Sequence, residues 1–362
     1  MSCPVRIHPL RKPPNHRVPI PRWKLSLPES CHRVFTTYVG LQQHDFGTGT
    51  TGARWDIINA IQDWLRSNEE SIVWESFSVI DGHDVEESPI WVCYFADTSQ
   101  DRVHVPLDLS QIHSRLDSSV RDAIGIWQES FATEVSRLET NYSGLDYLPG
   151  LARLQGAQTD EHTLSTYWGA ARDRIPDSAH DLFPRSSNTE RPSDPPVGLG
   201  QHLMGTNHNN LVHIRSGQWW ENCGQQEADA YEKKLEPTLR AGLEYLCNNT
   251  DQTGAMGLRY LRNSKTPGES KERKQKESCG AGFFANLEDL ENWAKTHPSH
   301  LKIWRGALSH YKEFGDHRRF RTWHEVCVIR EGNARFEYIN CAPGTGVMRS
   351  MPLQIQHSWS AV

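Results

Sequence analysis

From Asn286 onward apolar positions recur every three to four residues, and near position 322 they switch to every second residue. In the first stretch Leu287, Leu290, Trp293 and Ala294 share a helical stripe. Asn286 supplies an N-cap, and Asp289, three residues on, accepts from the free amides of the first turn. Pro298 cannot continue that helix but suits the first position of another. The second helix carries His300, Ile303, Trp304, Ala307, Leu308 and Tyr311 on one face. Alternation then predicts a strand over 322–329, a turn at 331–333 and a second strand over 335–340, read together as a hairpin. His324 falls on the face of Val326 and Val328. Two consecutive elements thus each place one histidine on an apolar face.

Upstream, the pattern predicts a strand over 33–39 and a helix over 54–65, with Trp55, Ile58, Ile61 and Leu65 along one side. Strands over 71–80 and 90–95 flank an acidic loop, and a longer helix is read over 118–138. The order returns later, with a strand over 211–216, a helix over 225–247 and strands near 255–261 and 280–285. The chain reads as two copies of one α+β unit, about 31–185 and 210–350, inside a single catalytic domain of 31–350. Such units form antiparallel sheets with helices packed on one face. Residues 1–30 hold seven prolines among basic residues and read as an extended arm, with a disordered tail as the plainer alternative. Residues 351–362 read as a C-terminal tail, 185–210 as a linker or lid containing His202 and His208, and 263–277 as a charged surface loop.

Composition narrows the chemistry. At 362 residues the chain can bury a sizeable core, and its 13 Trp, 11 Phe and 10 Tyr supply large apolar faces for it. A net charge of −6 gives no reason to expect a nucleic acid partner. The eight cysteines include no Cys-x-x-Cys pair, which argues against a zinc ribbon, a dithiol site or a disulfide framework. No stretch has the apolar length of a membrane span, and the proline-rich start lacks the apolar core of a secretory signal. A cytoplasmic protein with reduced thiols and no membrane partner is expected, with the sequons at Asn141 and Asn248 as chance matches.

A lone histidine on an apolar stripe is more often a core residue bonded to backbone than a ligand. The sharper reading is a metal or haem ligand, because an imidazole in an apolar wall keeps one nitrogen free to coordinate, and two such histidines in consecutive elements are harder to dismiss than one. Beyond these two, the run Trp-Ala-x-x-His-Pro-Ser-His-Leu-Lys-Ile (293–303), His-Glu-Val (324–326) and Phe-Glu-Tyr-Ile-Asn-Cys (336–341) forms an ordered set. So do Glu139-Thr-Asn-Tyr, Tyr167-Trp-Gly-Ala-Ala-Arg-Asp-Arg174-Ile-Pro and Ile214-Arg-Ser216-Gly-Gln-Trp. Together they resemble the haem-containing aldoxime dehydratases, the phenylacetaldoxime dehydratase-like family, over roughly 130–350.

The resemblance implies a duplicated ferredoxin-like α+β fold with an antiparallel, barrel-like core of the dimeric α+β barrel type. It also implies haem b, non-covalently held and ferrous when active, and a homodimer. The implied activity is dehydration of an aldoxime to a nitrile, the oxime nitrogen being bound by the iron. His300 matches the axial ligand, with His297 as a rival that lies off the apolar stripe at the helix junction. His324 matches the distal acid and base, Ser216 the group that binds the oxime hydroxyl, and Arg174 with Glu139 an electrostatic pair beside His324. Arg172 is expected to face elsewhere or to meet a haem propionate. The bland readings are a packed strand histidine for His324, a turn serine for Ser216 and a surface ion pair for Arg174. The rival functions are a haem peroxidase or chlorite-dismutase-like enzyme, whose pocket is arginine-dominated, and a non-catalytic haem sensor or carrier.

Overall fold

One order of elements occurs twice. β1 (Trp23–Ser26) precedes the first copy: β2 (Arg33–Gln43), α1 (Thr48–Ser67), β3 (Val73–Gly82), β4 (Pro89–Ala96), short α2 (Leu109–Ser114) and α3 (Ser118–Arg121), and β5 (Ile124–Glu134). Between the copies lie β6 (Leu138–Tyr142), β7 (Gln158–Glu161) and β8 (Gln201–Thr206). The second copy opens with β9 (Leu211–Trp219), α4 (Gln225–Ala230), a π-turn at Tyr231–Leu235, α5 (Glu236–Asn248) and α6 (Thr250–Thr253). It continues through β10 (Ala255–Asn263), β11 (Glu277–Phe284), α7 (Leu287–Thr296), α8 (Pro298–Phe314) and β12 (Arg321–Ile329). β13 (Ala334–Ile339) and β14 (Gln354–Ser358) follow. The computed structural model describes residues 6–12, 15–97, 107–187, 191–264 and 276–359.

The described strands form a single 14-stranded sheet, antiparallel at every pairing. The first copy reads β5-β2-β4-β3 across it and the second β12-β9-β11-β10, joined back to back through β3 and β10. Both are the ferredoxin-like order. Two residue pairs carry the same signature. Gly40 lies opposite Trp127 on β2 and β5, and Gly217 opposite Trp323 on β9 and β12. A Cβ at either glycine would stand 2.1 Å from the indole. Each indole also carries a guanidinium on its face, Arg259 at 4.2 Å and Arg215 at 4.6 Å.

The eight strands of the two copies curl until β12 touches β5. The core is therefore barrel-like, but the sheet stays open: β5 already pairs β13 on its other edge and β12 pairs β6. Inside the curl sit Trp127, Phe131, Phe283, Trp323 and Phe336, together with buried ion pairs such as Arg215–Glu75 and Arg259–Glu129. Outside, α1 and α2 cover the first copy and pack against Val39, Trp91, Ile124 and Ile126 of its sheet. The second copy is covered by α5, α7 and α8, and here the layer is incomplete. Ile303, Trp304 and Ala307 on α8 are only half-buried because they face a cavity.

Several expectations change. The helix read over 118–138 is α3 followed by strands β5 and β6. Both faces of β5 are buried, Ile124 and Ile126 in one core and Trp127 and Phe131 in the other, so its apolar positions crowd together and imitate helical spacing. The turn after β12 is present, with Gly332 at a φ of +74°, but no hairpin forms. β13 pairs β5 and β8 instead, because the curl brings that edge alongside. Within 185–210, residues 201–206 form β8, with His202 bonded to Glu337 at 2.9 Å and His208 to the Ala285 carbonyl at 2.8 Å. Residues 351–362 supply β14, which pairs β8. Most of 263–277 lies outside the described residues.

Candidate active site

α7 and α8 form as the stripe dictates. Asn286 Oδ1 caps α7 by accepting from the Glu288 amide at 2.9 Å, and Pro298 opens α8. His297 occupies the junction. Its Nδ1 lies 2.7 Å from the Ser299 hydroxyl, and its ring stacks on Tyr245 with centroids 3.9 Å apart, so it serves as the cap of α8 away from the cavity. One turn further, His300 is buried at 4% exposure against Trp293, Trp168 and Tyr167. Its Nδ1–H donates to the Ala294 carbonyl at 2.9 Å, which fixes the tautomer and turns Nε2 into a free acceptor. Among the described residues Nε2 makes no hydrogen bond. Burial pushes this imidazole down to about 4, so it stays neutral and its lone pair remains available.

The facing wall is the sheet. Ser216 on β9 and His324 on β12 are register partners, so their side chains stand together on the cavity face. His324 is 5% exposed. Its Nε2 lies 3.0 Å from Glu139 Oε1 and 3.1 Å from Arg174 Nη2. Arg174, from the 3₁₀ segment Trp168–Arg174, grips Glu139 with two bonds of 2.8 and 3.0 Å. It is also held by the carbonyls of Ser165 and Tyr167. Burial raises the Glu139 carboxyl, but Arg174 and His324 more than offset this and hold it at about 2. Burial lowers His324 below the usual histidine range; Glu139 opposes that and Arg174 reinforces it. Glu139 is thus a carboxylate, and His324 an imidazole that holds a proton loosely. Ser216 Oγ makes no hydrogen bond among the described residues. Arg172 turns away to Glu291 on α7 at 3.3 Å.

Three of the five residues expected from the sequence, Ser216, His300 and His324, line one cavity, and Glu139 and Arg174 stand directly against His324. The cavity walls also hold Arg22, Asn141, Thr166 and Trp168, none of which was expected from sequence reasoning. Asn141 had its signal: it follows Glu139 by two on a strand and so shares its face. Its Oδ1 lies 3.2 Å from Nε2 of His162, and it is too buried to be a glycosylation acceptor. A haem suits this cavity on the observations above. One wall presents a neutral, oriented imidazole nitrogen without a partner, the flanking surface is aromatic and aliphatic, and polar side chains stand opposite. Among the described residues there is no cluster of three or more His, Cys, Asp or Glu that would hold a bare metal ion.

Comparison with known proteins gives a consistent result. The family model described as haem-containing dehydratase matches residues 37–347. An aliphatic aldoxime dehydratase of Rhodococcus globerulus is 28% identical over 99% of this chain and 98% of its own length. One from Pseudomonas chlororaphis is 29% identical over 96% of both. A phenylacetaldoxime dehydratase of Bacillus sp. (strain OxB-1) is 31% identical over 62% of this chain and 63% of its own. A solved aldoxime dehydratase in complex with butyraldoxime superposes with a TM-score of 0.77 at 25% identity, covering 96% of this chain and 94% of that one.

Proposed function

The chain belongs to the haem-containing dehydratase family, and from that premise we propose that it is a lyase converting aldoximes to nitriles and water. The observation that carries this reading is the opposition of two walls in one cavity: His300 with a free Nε2 on α8, and the His324–Ser216 pair across β12 and β9. His300 would hold haem b through Nε2. When bound, ferrous haem supplies an electron-rich iron for the oxime nitrogen.

The remaining work falls to side chains. Ser216 Oγ, without a partner among the described residues, hydrogen-bonds the oxime hydroxyl and fixes its direction. His324 keeps its Nε2–H on Glu139 Oε1, which leaves Nδ1 to carry the mobile proton. Nδ1–H protonates the hydroxyl, the N–O bond breaks and water leaves. The same Nδ1, now a free base, takes the proton from the aldoxime carbon as the nitrile forms. Glu139 stabilises the imidazolium, while Arg174 limits how tightly the proton is held. Arg174 is therefore a positioning residue. Apolar walls exclude water and strengthen each of these interactions.

The reading also takes the protein to be a cytoplasmic homodimer. The family resemblance and the seven unpaired described cysteines support it, reduced thiols being usual in that compartment. Among the described residues no helix is long and apolar enough to cross a membrane. The test of function is direct. Haem-loaded, dithionite-reduced protein given an aliphatic or aryl aldoxime should release the corresponding nitrile, seen by chromatography. Haem uptake with no nitrile from any aldoxime would leave only a carrier.

A further inference from the structure

Far along α8 from His300, the cavity ends at a buried cation. Arg22, just ahead of β1, is 3% exposed and lines the cavity. Among the described residues its guanidinium hydrogen-bonds two hydroxyls: Nη1 donates to Thr322 Oγ1 at 3.3 Å and Nη2 to Tyr311 OH at 3.2 Å. Among the described residues Nε is buried with no partner and no carboxylate pairs with Arg22. A second guanidinium, Arg318, stands over the other contact of this group, 5.1 Å from the Tyr311 ring. Burial alone would raise the Tyr311 phenol, yet Arg22, the Thr322 hydrogen bond and Arg318 together pull it below its ordinary value. This end of the cavity is strongly positive.

A buried guanidinium with only neutral partners and one idle N–H is costly unless an anion completes it. The Arg fork, presenting Nε and an Nη along one edge, matches a carboxylate in two parallel bonds. Thr322 stands two residues before His324 on β12, so both side chains are on the cavity face, and Arg22 lies beside Thr322. We propose that Arg22, with the hydroxyls of Tyr311 and Thr322, forms a carboxylate-binding pole of the cavity, and that it takes a propionate of the haem. This rests on the haem reading given above.

The test is an equilibrium titration of the apo-protein, followed at the Soret band, with haem b and with haem b dimethyl ester, in which both carboxylates are blocked. The wild type should bind haem b about tenfold to a hundredfold more tightly than the ester, the range of one or two charge-assisted bonds. Arg22→Gln should bring the two affinities together, and Arg22→Lys should restore part of the difference. Thr322→Val, which removes one hydroxyl and leaves the cation, should narrow the gap if Arg22→Gln does not fold. Equal affinity of the wild type for haem and ester, or unchanged discrimination in a folded Arg22→Gln protein, overturns the pole. Suppose instead that Arg22→Gln keeps the haem preference but raises KM only for aldoximes bearing a terminal carboxylate. The site then takes its carboxylate from the substrate, and the propionate assignment is overturned. No Soret change with either ligand in the wild type would sink the haem reading itself, and this pole with it.

Discussion

What His324 can do is set by the two groups around its Nε2. Glu139 and Arg174 pull its proton affinity in opposite directions, and both are buried against it. Removing the carboxylate must weaken the imidazolium, so Glu139→Gln should move the alkaline limb of the kcat–pH profile to lower pH. Removing the guanidinium must strengthen it, so Arg174→Gln should move that limb to higher pH. Shifts in the same direction for both variants would show that the pair holds structure without tuning His324. The direct test of the acid–base role is His324→Ala, which should keep haem and still shift the Soret band on adding aldoxime. Nitrile formation should fall by about a hundredfold to ten-thousandfold. Ser216→Ala removes one hydrogen bond to the reacting group and should cost about tenfold to a hundredfold in kcat. Unchanged steady-state kinetics would take Ser216 out of the site. These residues were legible because each sits in a motif or on an apolar face. Arg22 and His162 were not: one follows a run of prolines and the other lies in a short irregular stretch, so neither has a periodicity that assigns it a face.

At the level of elements, α8 was legible from its pattern and β5 was not, for one physical reason. α8 has a single apolar stripe, because its other side meets solvent, and a stripe of 3.6 period is readable. β5 is buried on both sides, and its neighbours in the sheet lie far away in sequence, so nothing local distinguishes it from a helix. The same stripe separates the two histidines at the start of α8. His300 is on it and reaches the cavity; His297 is off it and caps the helix. His300→Ala should therefore give folded protein with little or no haem, partly restored by added imidazole. His297→Ala should keep normal haem occupancy and lose about 1 kcal/mol of stability, the usual contribution of a helix cap. Soret titration and urea denaturation of the two variants read these outcomes. Normal haem in His300→Ala with loss in His297→Ala would transfer the ligand to His297.

Across the whole molecule, duplication explains why the same sheet position lies in a packed core in one half and at the candidate site in the other. The Gly40–Trp127 and Gly217–Trp323 pairs align the copies, so the next residues along align too: Val39 and Gln128 hold the places of Ser216 and His324. Val39 is packed under α1 in an apolar layer, whereas Ser216 faces the cavity under α8. The same scaffold thus carries a core in one copy and a site in the other, by exchange of a few side chains on the outer face. The inner face is shared, and there the two glycines have the same task, leaving room for an indole on the facing strand. Gly40→Ala and Gly217→Ala should each force an indole aside and cost about 1–3 kcal/mol, the usual penalty for overpacking. Urea denaturation of the haem-free proteins measures that cost. Their effects on haem should differ. Gly217 sits between Ser216 and Gln218, both lining the cavity, so its substitution should weaken haem uptake and turnover. Gly40 underlies the first copy, so Gly40→Ala should lower stability alone. If Gly40→Ala lost haem affinity to the same extent, strain would be passing through the shared inner core. The site could then not be treated as the property of one half.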